Sequence, residues 1–377
     1  MINHHDGALQ MVKDLKEHPG TAYDPILNEF VSDLVNDQGV EIERMNGIAV
    51  NLSDDPRSSL SPGLFDAEVA IKNLELVESL RKPAGFYNPS NPKAKGVEKI
   101  DDDADEENEN KTTEELSKSL RSPILSFANT DMAFRDDLLV TGSYHGFNIY
   151  QINVLGVPEL LSSVVCPGGQ GDVSIVEDLL IMSVEETRSR LNCGLEGVSK
   201  EASADRFRGL RIFDISDVFK PKQVGAVQTC RGSHTHSVVS GPGPDGKIIV
   251  YNSGTAGVRE EEEMKECIGN IPGDKRTALF RIDIIEIPIS NPSQSKIVSS
   301  PAVFADPNTG ALGGLWVGGD HGEDTQDTRR TDQCHDITVF PSANLAAGAC
   351  SGNGILFDIT CLLYTSDAAD DSLRVDL

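Results

Sequence analysis

Gly209-Leu-Arg-Ile-Phe-Asp-Ile-Ser-Asp217 is the stretch on which the fold turns. Leu210, Arg211 and Ile212 alternate apolar and polar with a period of two, which places successive side chains on opposite faces of a strand. A glycine opens the run and Ser216-Asp217 closes it, as in a strand bounded by turns. Three other stretches have the same form: Gly146-Phe-Asn-Ile-Tyr-Gln-Ile152, Arg281-Ile-Asp-Ile-Ile-Glu-Ile287 and Gly354-Ile-Leu-Phe-Asp-Ile359.

Working outward, each stretch is preceded by two more strand-like runs. The first begins Asp131-Met-Ala-Phe134, Asp172-Val-Ser-Ile175, His236-Ser-Val-Val239 and Asp336-Ile-Thr-Val339. The second reads Leu138-Leu-Val-Thr-Gly142, Leu179-Leu-Ile-Met-Ser183, Ile248-Ile-Val-Tyr-Asn252 and Leu345-Ala-Ala-Gly-Ala349. A fourth run follows in three units, at Pro158–Val165, Pro221–Val227 and Ser295–Ser299. Four antiparallel strands per repeat is the grammar of a β-propeller blade. The unit starts step by 41, 64 and 100 residues. The excess lies in three insertions, Glu185–Phe207, Thr255–Arg276 and Asp306–Gln333. Long loops on a rigid scaffold are where function collects.

The Leu-Arg-Ile-Phe-Asp-Ile-Ser-Asp core of the second unit resembles the LVIVD repeat of bacterial and archaeal surface proteins. The resemblance covers residues 122–360 and implies a surface-associated propeller. About four units are visible. The expectation is that they form part of a larger propeller of about six to eight blades, cut after the third strand of its last unit.

The front of the chain is different. In Met1-Ile-Asn-His4-His5-Asp-Gly-Ala8-Leu-Gln-Met11, helical spacing returns Met1, His4, Ala8 and Met11 to one face. In Leu34-Val-Asn-Asp-Gln38-Gly-Val-Glu41-Ile-Glu-Arg-Met45 it does the same for Leu34, Gln38, Glu41 and Met45. Pro19-Gly20 reads as a stop and Asp24-Pro25 as a restart, so two antiparallel helices are expected. Imidazole with soft thioether sulfur is a ligand set that suits copper. The pair resembles the domain-of-unknown-function 305 family, which implies a partial ferritin-like bundle and, in some members, copper. The metal candidates here are His4, His5, Met11, Met45 and Glu41, with Glu41 or Gln38 able to hydrogen-bond the second imidazole nitrogen. The same residues also fit a plain helical bundle with methionine as gap-filler.

Between these regions, Leu64–Leu80 has a helical period and is expected to pack near the hairpin. Glu98–Glu115 holds ten acidic residues and two Lys, the composition of a solvated linker. The expected organisation is therefore multidomain α and β: a helical hairpin at 1–47, a connecting segment with one helix at 48–97, an acidic linker at 98–121 and propeller blades at 122–360. Residues 361–377, beginning Cys361-Leu-Leu-Tyr-Thr-Ser-Asp-Ala-Ala-Asp370, match the read-through translation of a transposase sequencing adapter, and Val375-Asp376-Leu377 matches its flanking primer. They are expected to be foreign to the fold and to stand apart from the blades.

The whole chain carries a net charge of −27; the tail holds four Asp and one Arg, which leaves −24 for the rest. Such a chain repels nucleic acid and anionic lipid. No apolar run reaches the ~18 residues needed to span a membrane. Setting Cys361 aside, six cysteines remain, none in the first 165 residues and none in a C-x-x-C pair. That argues for disulfides and a periplasmic, extracellular or cell-surface location rather than a zinc knuckle. Cys193 and Cys267 are expected to pair with each other or with Cys230, and Cys334 with Cys350.

A second candidate site lies in the blade region: His145, His234, His236, His321 and His335. His234-Thr-His236 and Cys334-His335-Asp336 open innermost strands, whose starts line a propeller's channel. A divalent metal or proton-transfer site there is one reading; hydrogen bonds between blades is the other. Asp320-His321-Gly-Glu323-Asp324 with Asp327 can hold a cation or simply solvate a loop. No nucleophile elbow or P-loop is present, and Gly168-Gly-Gln-Gly171 precedes a strand, which makes it a turn rather than a phosphate cradle. Three functions remain open. They are a copper-associated platform binding a small molecule or protein, a metal-dependent oxidase or hydrolase at the propeller mouth, and a metal-free adhesion or scaffold protein. For the enzyme, the propeller of the selenium-binding-protein/methanethiol oxidase type is an analogy of fold alone.

Overall fold

The computed structural model describes residues 2–18, 25–53, 55–63, 66–86, 128–198, 202–265, 267–269, 277–302, 315–319, 330–360 and 374–376. The acidic linker, His321 and its acidic neighbours, Asp327 and Leu362-Leu-Tyr364 lie outside them. The chain divides into two compact units, Met1–Ser79 and Leu80–Leu377.

The first unit is a hairpin of α1 (Ile2–Lys16) and α2 (Pro25–Ser53). His5 meets Gln38 and Glu41, while Leu9, Val12 and Lys16 gather near Val35, so the helices run antiparallel. Among its described residues, Val12 and Val31 are the buried apolar ones. On α2, Leu34, Gln38 and Met45 are half-buried, as the spacing predicts. On α1 the seam is turned by one residue: His5, Leu9 and Val12 face the partner, and Met11 is 68% exposed. Both faces of α1 carry apolar residues, and the one with branched Val12 is the one buried. The helix expected within 64–80 is not formed over the described residues 66–80. Val69, Leu74, Leu76 and Val77 are exposed there, and a short helix with no surface to bury against has little to hold it. The helical boundary moves instead, because α2 continues to Ser53 and is followed by a 3-10 turn at Pro56–Ser59 capped by Asp55.

The second unit is four four-stranded antiparallel meanders. Blade 1 is β1 (Asn129–Arg135), β2 (Leu138–Ser143), β3 (Gly146–Ile152) and β4 (Pro158–Val165). Blade 2 is β5 (Val173–Val176), β6 (Leu179–Val184), β7 (Gly209–Asp214) and β8 (Lys222–Gln228). Blade 3 is β9 (His236–Ser240), β10 (Lys247–Asn252), β11 (Asp283–Pro288) and β12 (Lys296–Ser299). Blade 4 is β13 (Asp336–Phe340), β14 (Leu345–Cys350), β15 (Asn353–Asp358) and β16 (Arg374–Asp376). The repeat read from the sequence thus falls strand for strand on the sheets.

Blade stacking follows from the period of two. Leu180 and Met182 of β6 join a cluster with Val140, Phe147 and Ile149 of blade 1, while Leu179 and Ile181 join Ile248, Val250, Ile285 and Ile287 of blade 3. Every residue of β6 is buried, which is why it reads as a continuous apolar run. A third cluster joins blades 3 and 4 through Tyr251, Ile284, Ile337 and Phe357. The glycines that open β3 and β7 are required. Gly146 and Gly209 have φ of 136° and 140°, and a Cβ on either would lie 2.0 Å from a carbonyl oxygen of the neighbouring strand.

Strand β16 comes from the tail expected to stand apart. Phe357, Leu356 and Ile355 pair with Arg374, Val375 and Asp376. The open edge of β15 offers main-chain donors and acceptors, and any extended segment can satisfy them whatever its side chains.

Three disulfides form: Cys166–Cys193, Cys230–Cys267 and Cys334–Cys350. The last two are among the expected pairings. Cys193 instead takes Cys166, at a Cα separation of 4.4 Å. The reason is a repeated geometry. In blades 2, 3 and 4 the first cysteine sits in the connector entering the blade, and the second lies in or at the root of that blade's loop between its second and third strands.

Candidate functional site

Within each blade the start of the inner strand pairs with the end of the second strand: Val173 with Met182, His236 with Asn252, Asp336 with Ala349. Connectors entering a blade and loops leaving its second strand therefore open on the same edge. The long insertions of blades 2 and 3 and four of the five blade-region histidines come to this edge.

His234, in the connector to blade 3, donates from Nδ1 to Glu185 Oε1 at 2.6 Å, and Glu185 stands just beyond β6. Thr255, just beyond β10, donates to the other carboxylate oxygen at 2.7 Å. His335, in the connector to blade 4, lies against His234 with ring centroids 4.4 Å apart. Burial alone would raise the Glu185 carboxyl. The hydrogen bonds from His234 and Thr255 and the two imidazoles outweigh it and hold the group below the usual carboxylate range. His234 Nε2 is buried and has no hydrogen-bond partner among the described residues. A carboxylate on Nδ1 fixes the tautomer that leaves Nε2 as the acceptor, the arrangement of a metal-ligating or base histidine.

His236 belongs to a different network. Its ring Nδ1 lies 2.8 Å from Asp172 Oδ2 and 2.8 Å from Ser183 Oγ, and its main-chain N–H donates to Asp172 at 2.9 Å. Asp131 makes the same main-chain contact at the preceding blade, accepting from Val173 N at 3.0 Å. Burial pushes the Asp131 carboxyl up. Burial also acts to raise Asp172, but the His236 ring and its hydrogen bonds bring it below its ordinary value. Between blades 3 and 4 hydroxyls replace the carboxylate: Thr235 donates to His335 O at 2.8 Å and Ser237 to Ile337 O. His236 is thus a blade-to-blade latch, with its side chain fully buried.

His145 sits in the turn between β2 and β3, edge-on to Phe86 at 6.0 Å. Burial, with the nearby Arg188 charge, lowers its pKa to about 4. The predicted histidines therefore separate: His234 and His335 meet, His236 and His145 are built into the blades, and His321 lies outside the described residues. Among the described residues no group of three His, Cys, Asp or Glu converges on a metal position.

Glu185 and Thr255 were missed by sequence reasoning. Their signal is positional, because each falls one to three residues past a second strand, where the two insertions begin. Arg231 was also missed. It bridges two connectors, donating to Ala256 O at 2.8 Å, Gln333 Oε1 at 2.9 Å and Asp332 Oδ1 at 3.2 Å.

In the hairpin, His5 Nδ1 lies 2.5 Å from Gln38 Oε1 and 3.1 Å from Glu41 Oε2. Both α2 residues named for an imidazole partner, Gln38 and Glu41, thus lie beside His5. Met45 is half-buried on the same face of α2, and Met11 is not directed to it. The side chain of His4 is not among the described ones.

No family model and no curated protein matches the chain. Solved structures do. The hydrazine synthase of Kuenenia stuttgartiensis is 8% identical, with 66% of this chain and 53% of that chain covered and a TM-score of 0.34. A protein from Lactobacillus plantarum is 13% identical over 66% of this chain and 70% of its own, with a TM-score of 0.34. The WD40 β-propeller domain of Doa1 is 12% identical over 65% and 67%, with a TM-score of 0.27. The chain spans about half the length of the hydrazine synthase chain it matches. Likeness at this level says nothing of chemistry, and the propeller character rests on the strand pairing and blade stacking above.

Proposed function

We propose that this is an exported, metal-associated protein of the periplasm or cell surface. In this reading the propeller is a binding platform for a small molecule or protein partner, and the helical hairpin carries a copper site. Three disulfides support an oxidising compartment, and among the described residues no helix is long and apolar enough to cross a membrane. The observation that carries the metal reading is His5. A glutamine and a glutamate hold its Nδ1, as second-sphere groups hold the imidazole of a metal ligand. His4, one residue earlier in sequence, and Met45, on the facing helix, are residues of the nitrogen and sulfur donor types that copper prefers. Bound copper would supply a redox-active ion in a nitrogen and sulfur donor set.

The test is a copper titration of the full chain against a calibrated chelator. About one copper per chain is expected, lost in the His4→Ala/His5→Ala double variant. Unchanged affinity in that variant sinks the metal reading and leaves a structural hairpin.

The platform reading draws on the described blade histidines, of which His234 and His335 meet while His145 and His236 stand apart, since an enzyme of the metal-dependent kind needs at least three converging ligands. The enzymatic alternative is favoured by one feature, the Glu185–His234 pair beside His335. Hydrolase or oxidase activity abolished by Glu185→Gln, with the fold retained, would move the assignment to that alternative.

A further inference from the structure

The two long insertions meet at a second place. Arg206 and Arg208, just ahead of β7, and Arg259 and Glu263, in the insertion of blade 3, line a cavity of about 170 Å3 with Thr187 and Val258. The three arginines are 6%, 8% and 5% exposed. One buried carboxylate serves two of them: Glu263 accepts from Arg206 and, at 2.6 Å, from Arg259 Nε. Arg259 also donates to Gln228 Oε1 at 2.5 Å and to Arg206 O at 3.1 Å. Arg208 donates from Nη1 to Gly257 O at 3.2 Å, and its Nε is buried with no hydrogen-bond partner among the described residues.

Among the described residues a carbonyl is the only acceptor Arg208 finds, and a buried guanidinium so placed is costly, because buried charges are ordinarily paired. Burial, with the neighbouring Arg206 and Arg259 charges, outweighs the Glu263 and Glu185 carboxylates and lowers the Arg208 pKa. The concentration of positive charge also runs against a chain of net charge −27. With Glu260 at the exposed rim, the lining among the described residues carries three cations against two carboxylates, an excess of one. That excess suits a monoanion better than a phosphate dianion. The cavity is smaller than the ~300–1,000 Å3 of pockets that hold whole drug-sized ligands. Val258 and Ala202 add an apolar wall.

We propose that this pocket binds the carboxylate of a small organic acid, with the fork of Arg208 as its main donor. A planar guanidinium matches a carboxylate two bonds to two. The inference goes beyond the copper reading and does not depend on it.

The experiment is thermal unfolding of the full, oxidised chain in chloride, butyrate and inorganic phosphate at matched ionic strength. Butyrate should raise the midpoint in a saturable way, and phosphate should not. Arg208→Met should keep its three disulfides and bind butyrate at least about tenfold more weakly. Equal stabilisation by phosphate, no response to butyrate, or an unchanged response in Arg208→Met overturns the proposal. A measurement on the unaltered chain covers the case in which the variant misfolds. The resonance of carboxyl-labelled butyrate should broaden saturably on adding the protein, and a line that stays sharp overturns the assignment.

Discussion

Asp172 and His236 are joined twice: the carboxylate accepts the main-chain N–H of His236 at 2.9 Å and faces its ring nitrogen at 2.8 Å. One side chain thereby fixes where the third inner strand begins relative to the second. Asp131 does the main-chain half of this job for the second strand. The latch uses the first residue of the repeated strand, so the repeat encodes both the sheet and its attachment to the next.

Replacing Asp172 with Ala removes both contacts, leaving Ser183 Oγ beside the His236 ring and the His236 main-chain N–H without its acceptor, at a cost of about 1–3 kcal/mol. Asp172→Asn retains one acceptor and should cost less. The Asp172 carboxyl is held below its ordinary pKa in the folded chain. Its contribution is therefore present above the unfolded carboxylate pKa and fades as pH falls through the depressed value. Urea unfolding should show a shallower acid loss in Asp172→Asn than in the wild type. Equal acid profiles would remove Asp172 from the latch.

His145 acts in a different pH window. Its folded pKa of about 4 lies below the ordinary 6.5. The unfolded chain takes up a proton over that interval that the folded chain refuses, so stability falls as pH drops from 6.5 toward 4. The loss is no more than about 3 kcal/mol. Comparing unfolding at about pH 7 and about pH 4.5, His145→Phe should lose less than the wild type does.

The disulfides close loops of different length, with sequence separations of 37 for Cys230–Cys267, 27 for Cys166–Cys193 and 16 for Cys334–Cys350. Each should contribute about 3–4 kcal/mol, the longest about 0.7 kcal/mol more than the shortest on the chain-entropy account. Paired Cys→Ala variants, unfolded in denaturant, measure the order. Peptide mapping of the oxidised chain should recover Cys166 linked to Cys193, and a Cys193–Cys267 peptide would contradict the fold at that edge.

Gly209→Ala places a methyl 2.0 Å from Val227 O at a φ of 140°. A loss of about 3 kcal/mol or more is expected, because positive φ strain and the clash act together. Gly354→Ala, which meets nothing within 4 Å, is the control and should change stability little.

The blades were legible because a strand writes its burial into every second residue, and in blades 1 and 2 the third strand adds a glycine that close backbone approach explains. The hairpin was half legible. Its α2 face is unambiguous, whereas on α1 Ala8 and Met11 compete with Leu9 and Val12, one residue around the helix, and packing decides between them. The apolar residues of 66–80 have helical spacing but no surface to bury against among the described residues, and spacing cannot report where a partner lies. At the propeller edge the histidines were visible as residue types, yet Glu185 and Thr255 became partners only when connectors and insertions were folded onto one edge. The same holds for Cys166, which is linked to Cys193 by the repeat geometry and by nothing in the local sequence.

Each of blades 2, 3 and 4 has its entering connector tied by a cystine to the loop that leaves its second strand, or to the root of that loop. In blade 4 the tie lies below the Ser351-Gly352 turn, so a longer loop there would not loosen the blade beneath. That arrangement lets one face of the molecule diversify loop by loop while the stacked sheets remain under separate constraint. Variation among relatives should then concentrate beyond the cystines, and the half-cystines themselves should be inherited in pairs, gained or lost together with the blade that holds them.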